Sequence, residues 1–395
     1  MTLKKLNDYR LKGKRVLVRV DLNVPLENGK IADSSRIERI LPTIREILDN
    51  GGKPILMSHL GRPKGQRDPS LSFEPLIPSL SKLLGCAIKF SRNIIGPEAL
   101  EKSKSLGDNE ILLLENTRFY QEEEENELKF SEKLSSLGDI YCNDAFSAAH
   151  RAHASTVGVA QFMQNCIGLL MLEELSILKT VLGDPKRPLV AVVGGAKVST
   201  KLDLLTNLIH KVDHLVIGGG MANTFLYAQG NTIGKSLCEQ TLKDKAISIL
   251  QEAKRKGCDI HIPHDAIISS TFEAHAPFQV VDTRNVPDDS LILDIGPSTC
   301  KKICQVFKEC KTLIWNGPMG AFELPPFDNG TNMTTACAAK LTLNKGLISV
   351  AGGGDTVSAL KKAGVSKDFT YVSLAGGAFL EWMEGKKLPG ISCLN

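Results

Sequence analysis

Short apolar runs, many of them β-branched, recur along the chain. Each is closed by a polar or glycine-rich turn and followed by a stretch with helical spacing. The first half has "RVLVRV" before Asp21, "PILM" before Ser58, "ILLL" before Glu115 and "DIYC" before Asn143. The second half has "LVAVV" before Gly194, "HLVI" before Gly218, "DIHI" before Pro263 and "LILDI" before Gly296. "TLIW" before Asn316, "LISV" before Ala351 and "TYVS" before Leu374 complete the series. Strands alternating with helices predict parallel sheets of the doubly wound kind. Ligands bind such sheets beyond the carboxyl ends of the strands, where most of the unusual motifs of this chain fall.

Apolar residues three and four apart in "LLMLEELSILKTVL" predict one long helix, stopped by the two prolines of "GDPKRP". A chain of 395 residues is too long for one ordinary core. The helix therefore reads as a connector, residues 169–188, between a domain of residues 1–168 and one of residues 189–378.

Composition narrows the function classes. The sequence is 42% apolar, 23% charged and 5% aromatic with a net charge of +4, the profile of a soluble globular protein. No basic run interleaved with aromatics suggests a nucleic-acid partner. The opening "MTLKKLNDYRLKGKRV" lacks a signal-peptide core, and no segment approaches about 18 uninterrupted apolar residues, so no membrane is expected and the cytoplasm is. Ten cysteines without CxxC pairs read as reduced thiols. Zinc at Cys300, Cys304 and Cys310, or at "HRAH" and "HIPH", lacks supporting ligands at suitable spacing. The acidic run "QEEEENE", 121–127, is expected to be a solvated helix start.

Four turns of the first half carry cationic or carboxamide groups, with acids among them: Asp21 and Asn23 in "VDLNVP", followed by Arg36; His59 and Arg62 in "SHLGRPKG"; Arg118 in "LENTRF"; and Asp144, His150, Arg151 and His153 in "DAFSAAHRAHAST". Arginines converging at strand ends suit bidentate grip on a small, multiply anionic ligand. In the second half, "VVGGAKVSTKLDLL" sets Lys197 and Lys201 four apart, expected on one face of a helix near its positive end. "VIGGGMANTF" offers a turn open to a flat ring or ribose, and "WNGPMGAFE" ends in Glu323, a ribose-hydroxyl acceptor. "AGGGDTVSALKKAG" and "SLAGGAF" lead from strands into helices, with Asp355 placed to hold Mg²⁺ on a nucleotide's phosphates. "GNTIGKS" is one residue short of a P-loop, and no GxGxxG follows a strand, which counts against a dehydrogenase.

Taken together, "RVLVRVDLNVP", "SHLGRPKG", "AHRAHAST", "GGAKVS", "WNGPMG", "AGGGDT" and "EGKKLPG" make the chain resemble phosphoglycerate kinases nearly end to end. The resemblance implies two Rossmann-like α/β domains facing each other across a cleft, with residues 379–395 folding back on the first domain. It also implies a monomer that reversibly converts 1,3-bisphosphoglycerate and MgADP into 3-phosphoglycerate and MgATP, without a general base. On matching positions, Asp21, Leu22, Asn23, Arg36, His59, Leu60, Gly61, Arg62, Arg118 and Arg151 would bind phosphoglycerate. Lys201, Gly219, Glu323, Gly353, Gly354, Asp355 and Thr356 would bind nucleotide, with Asp355 toward the metal. Arg36, Lys197, Gly353 and Gly376 would act on the phosphoryl group in flight. The chain departs from the family pattern at Leu374 and Ala375, which stand for threonine and glycine, at "DAFSAAHR", and at Ser298 where lysine is common. The alternatives are a kinase of another small carboxylic acid and a binding protein with impaired catalysis.

Overall fold

A computed structural model describes residues 3–394. The chain divides into two compact units: residues up to Ser176 together with those from Lys387 onward, and Ile177–Lys386. The division falls inside the helix Leu169–Leu182.

In the first unit six strands form one parallel sheet: β1 (Arg15–Arg19), β2 (Lys53–Met57), β3 (Ala87–Ser91), β4 (Glu110–Leu114), β5 (Ile140–Asn143) and β6 (Asn165–Ile167). Their order is β3-β4-β2-β1-β5-β6, so the winding reverses between β1 and β5. Central strands are covered on both faces, which is why β1, β2, β4 and β5 are apolar through their middles. The helix Ser35–Asp49 buries Ile37, Ile40, Ile44 and Ile47 against the sheet, the three-four spacing of an amphipathic helix.

The second unit repeats the plan. Strands β7 (Leu189–Val193), β8 (His214–Ile217) and β9 (Asp259–His261) precede a separate sheet of β10 (Asp265–Ser269), β11 (Gln279–Asp282) and β12 (Leu291–Ile295). β13 (Thr312–Asn316), β14 (Ile348–Gly352) and β15 (Tyr371–Ser373) then complete the parallel sheet, ordered β9-β8-β7-β13-β14-β15. "LILDI", expected in a parallel sheet, is instead antiparallel to β10. Only three residues separate β9 from β10, too few for the crossover of about a dozen that parallel pairing needs, so β10 leaves the parallel sheet and "LILDI" pairs with it there.

The chain returns to the first unit at Lys387 rather than at residue 379, because the helix Gly377–Met383 packs on Leu202–Leu208 and Asn207 donates to the Met383 carbonyl. Beyond it, Asn143 Nδ2 donates to Gly390 O at 2.8 Å, and Gly390 N–H to Ala149 O at 2.8 Å. All ten cysteines are free thiols. Among the described residues no helix is long and apolar enough to cross a membrane, and no group of three or more His, Cys, Asp or Glu is placed to hold a metal.

Candidate functional site

Each parallel sheet carries its cluster beyond the carboxyl ends of its strands, on and beside the reversal of strand order. In the first unit Arg36 Nη1 donates to Asp21 Oδ2 at 2.7 Å and to Asn23 O at 3.1 Å. Asn23 Oδ1 accepts from Gly61 N–H at 2.9 Å, and Gly61 O from Arg118 Nη1 at 2.9 Å. Four of the expected residues are thus joined in one hydrogen-bonded chain with Gly61, whose φ of +62° and contact with Leu71 leave no room for a Cβ. Leu22 N–H is held by Ser58 Oγ, and Leu60 by both ends of the Asn116 amide. Arg62 and Arg151 are exposed. Ser147, at the position where the family pattern has glycine, donates to Asp21 Oδ2.

Burial pushes the Asp21 carboxyl up, but Arg36, His59 and the Ser147 and Asn23 donors outweigh it and hold the group below its usual range. His59 is driven well below the ordinary imidazole value by burial and by Arg19, whose Nη2 lies 3.0 Å from His59 Nδ1. His153 falls to about 4, through burial and then Arg118 and Arg19. At neutral pH the cup is therefore charged by its arginines, not by His59 or His153.

Beneath this layer lies one that the sequence reading missed. Arg19, 1% exposed at the end of β1, donates through Nε to Ser155 Oγ at 2.9 Å. Ser155 in turn donates to Glu123, by Oγ at 2.5 Å and by its N–H at 2.8 Å. Glu123 is 0% exposed, although the acidic run was expected to be solvated. Only one carboxylate of the run turns inward: Gln121–Glu124 is a single turn, and Glu127 caps the next helix by accepting from Lys129 and Phe130 N–H. The available signal was Arg19 itself, a charge within an otherwise apolar central strand. Asp144 was read as a possible turn cap, and its Oδ1 accepts from Met171 N–H at the start of Leu169–Leu182. Burial lifts its carboxyl to about 7.

In the second unit the β7 and β13 ends approach so closely that a Cβ on Gly194 would run into Pro318 and one on Gly317 into Gly194. Lys197 and Lys201 do not share a helix face. Residues 196–198 are irregular, Ser199–Lys201 is a 3₁₀ turn, and Glu239 fixes that turn by accepting from Ser199 N–H at 2.9 Å and Oγ at 2.5 Å. Lys197 is exposed. Lys201 turns inward, with Nζ 2.5 Å from Gly194 O and 2.6 Å from Asn316 Oδ1. Burial lowers the Lys201 ammonium to about 8, against the opposing pull of Asp355 and Glu384.

Asn316 Nδ2 donates to Gly352 O at 2.8 Å, and a Cβ on Gly353 (φ +99°) would stand 2.5 Å from that same nitrogen. Thr356 is buried and its Oγ1 accepts from Gly317 N–H at 2.7 Å, which ties the two glycine turns together. Beside them opens a cavity of about 550 Å³ whose wall includes Gly219, Glu323, Asp355 and the buried Asp294. Gly354 is exposed where the helix Gly354–Lys362 begins, and Gly376, with φ +53°, precedes Gly377–Met383. Ala375 is not among the residues with positive φ.

A family model described as phosphoglycerate kinase matches residues 6–386. A phosphoglycerate kinase of Ruegeria pomeroyi is 54% identical over 394 residues, covering 100% of this chain and 99% of the relative. One of Methylobacterium radiotolerans is 55% identical over 385 residues, covering 98% and 96%. The solved structure of phosphoglycerate kinase from Coxiella burnetii superposes with a TM-score of 0.89 at 40% identity, covering 100% of this chain and 99% of that one. The Pyrococcus horikoshii enzyme gives 0.84 at 31%, covering 99% and 98%. Doubly wound sheets and these likenesses define a small-molecule phosphotransferase whose acceptor is a carboxyl group. The chain belongs to the phosphoglycerate kinase family. Its reaction is the reversible glycolytic transfer of a phosphoryl group between 1,3-bisphosphoglycerate and ADP, giving 3-phosphoglycerate and ATP.

Proposed function

We propose that the first unit's cluster holds the phosphoglycerate and the second unit's cavity holds the nucleotide. One observation carries this: in each sheet the expected residues follow the carboxyl ends of the strands on and beside the reversal of strand order, the end at which such sheets take ligands. Arg36, Arg118, Arg62 and Arg151 grip the phosphate and carboxylate, and Asp21 and Asn23 hold Arg36 in place. Glu323 accepts from ribose, the glycine turns admit the base, and Lys197 and Lys201 neutralise the phosphates.

In the ATP-consuming direction a carboxylate oxygen of 3-phosphoglycerate attacks the γ-phosphorus, forming the acyl-phosphate bond as the bond to ADP breaks. Carboxylates are ionised near neutrality, with pKa values near about 4, so no proton need be removed. What remains is alignment and charge neutralisation by Arg36, Lys197 and the N–H groups near Gly353 and Gly376. Because the two faces belong to separate units, in-line transfer requires a motion about residues 169–188, which also excludes water. On this reading the enzyme is a cytoplasmic monomer.

Magnesium fits the chemistry of the site: Asp355 is an exposed oxygen donor on the cavity wall, and Mg²⁺ usually takes one or two carboxylates plus substrate phosphates. Asp355 would hold it, and the ion would spread charge developing on the phosphate oxygens. Asp355→Ala is expected to raise the KM for ADP by about tenfold or more while leaving that for phosphoglycerate within about twofold. Equal losses for both substrates would contradict the assignment of ligands to units.

The decisive experiment is a coupled assay of ATP-dependent phosphorylation of 3-phosphoglycerate, with wild type beside Ala375→Gly. Since Ala375 is not in the left-handed region, the two are expected to turn over within about threefold of each other. A wild type that is silent until glycine is restored would favour an impaired binding protein. Efficient phosphorylation of a different small carboxylic acid in preference to phosphoglycerate would favour the other kinase reading.

A further inference from the structure

Of the departures from the family pattern, only Ser147 adds a hydrogen-bonding group to the first unit's cluster, a hydroxyl where the pattern has glycine. It sits on the 3₁₀ turn Phe146–Ala148, just beyond β5, between two buried neighbours. Ala148 N–H donates to Ala145 O and Ala149 N–H to Phe146 O, both at 3.0 Å, and Gly390 N–H anchors the Ala149 carbonyl from the returning segment. The partly exposed Ser147 hydroxyl thus stands on a rigid support. It reaches Asp21, which follows β1, and β1 and β5 are the two strands between which the winding reverses. The bond spans the crevice at which such a sheet takes its ligand.

Asp21 is engaged on both oxygens. Oδ1 accepts from Asn23 N–H at 2.9 Å, while Oδ2 accepts from Arg36 Nη1 at 2.7 Å and from Ser147 Oγ at 2.5 Å. A carboxylate oxygen offers two lone pairs, so Arg36 and Ser147 together fill Oδ2. Donors on both oxygens resist rotation about the Cβ–Cγ bond. With Ser147 absent, Oδ2 would keep Arg36 alone, and the pair could swing as one. We propose that Ser147 is a positioning residue for phosphoglycerate: its hydroxyl locks the Asp21 carboxylate, which in turn holds the Arg36 guanidinium at the angle at which it grips the substrate. A planar fork binds best when its direction is fixed beforehand, because less freedom is then lost on binding. This role rests on the placement of phosphoglycerate in the first unit.

The lock has an electrostatic signature. The Asp21 carboxyl is faced by Arg36 from the helix Ser35–Asp49, by His59 beyond β2, by Ser147 beyond β5 and by Asn23 N–H in its own turn. Together these hold it below its usual range against the opposing effect of burial. Taking away the hydroxyl removes one of them and raises the carboxyl. On acidification the Asp21–Arg36 pair is then lost at a higher pH than in the wild type.

The test compares wild type with Ser147→Ala and Ser147→Gly by calorimetry of 3-phosphoglycerate binding and by steady-state kinetics. In both variants the Kd and KM for phosphoglycerate are expected to rise about three- to tenfold, with the KM for ADP within about twofold of wild type. The acid limb of kcat/KM for phosphoglycerate is expected to move to higher pH in both, a change that loosening of the fold alone would not produce. In an Asp21→Ala background, Ser147→Ala is expected to weaken phosphoglycerate binding no further. An unchanged Kd, an acid limb that stays in place, or a full effect of Ser147→Ala in the absence of Asp21 would overturn the positioning role; the last would make the hydroxyl a direct substrate contact. A KM for ADP that rises while phosphoglycerate binding is unmoved would instead contradict the assignment of ligands to units.

Discussion

Arg19→Met is expected to destabilise the first unit by about 3–5 kcal/mol without touching any residue that faces solvent, the usual cost of stripping one partner from a buried charge pair. The loss comes from Glu123. With Arg19 gone, a carboxylate at 0% exposure keeps the Ser155 donors and the weaker pull of Arg118 but loses its strongest cationic support. Burial already raises the Glu123 carboxyl while Arg19, the Ser155 donors and Arg118 pull it down, so the variant removes the largest of the opposing effects. Urea unfolding at pH 7 measures the loss. Arg19→Met combined with Glu123→Gln is expected to recover much of it, since replacing both partners avoids the orphaned charge. A single variant that loses less than about 1 kcal/mol would show that the pair is not coupled as drawn. Arg19→Met should also cost activity, because Arg19 Nη2 sits 3.0 Å from His59 Nδ1 and fixes that ring in the cup.

Removing the Lys201 ammonium is the change expected to cost most in catalysis. Lys201→Met should lower kcat by about 10²–10³-fold, the range seen when a preorganised stabiliser of developing charge is lost. Its pH dependence has a definite sign. Burial brings the ammonium down to about 8, so the free protein loses this positive charge as pH rises through 8. Bound nucleotide, being anionic, draws the proton back. kcat/KM for ADP is therefore expected to fall above pH 8, while kcat at saturation holds to higher pH. Lys201→Arg should remove the falling limb, whatever its absolute rate, because a guanidinium stays protonated. A falling limb unchanged in the arginine variant would assign it to another group.

The parts of this molecule that were legible in the sequence are those whose chemistry is local to a strand end. Asp21, Asn23, His59 and Arg118 follow apolar runs directly, and a run followed by a polar turn is a statement about both fold and site. Arg36 was readable as one more cation after the first strand, but its pairing with Asp21 was not, because the two lie across a hairpin of Leu26–Glu27 and Lys30–Ile31. Glu123 was illegible because an acid in a charged run looks the same whether it turns outward or inward. What turns it inward is Ser155, thirty-two residues away in sequence. The Lys197–Lys201 spacing misled for another reason: four residues mark one face only if the turn is α-helical, and Glu239, forty residues on, makes it 3₁₀. Nothing in the local pattern of "LILDI" distinguishes a parallel strand from an antiparallel one. What the short link before β10 could have told is that β10 cannot lie parallel beside β9, not which way "LILDI" would pair with it.

The return of the chain to the first unit at Lys387 sets a schedule for synthesis. Domains made on a ribosome generally fold as units, the N-terminal one first. Here the hydrogen bond from Asn143 to Gly390 spans 247 residues, and Gly390 N–H closes on Ala149 O. The first unit is therefore the earliest to be translated and the last to be finished. It must wait, one seam open, until the whole of the second unit has left the exit tunnel. A stalled or clipped chain lacking only its final residues would still encode every proposed ligand contact and yet leave the phosphoglycerate unit without its closing segment.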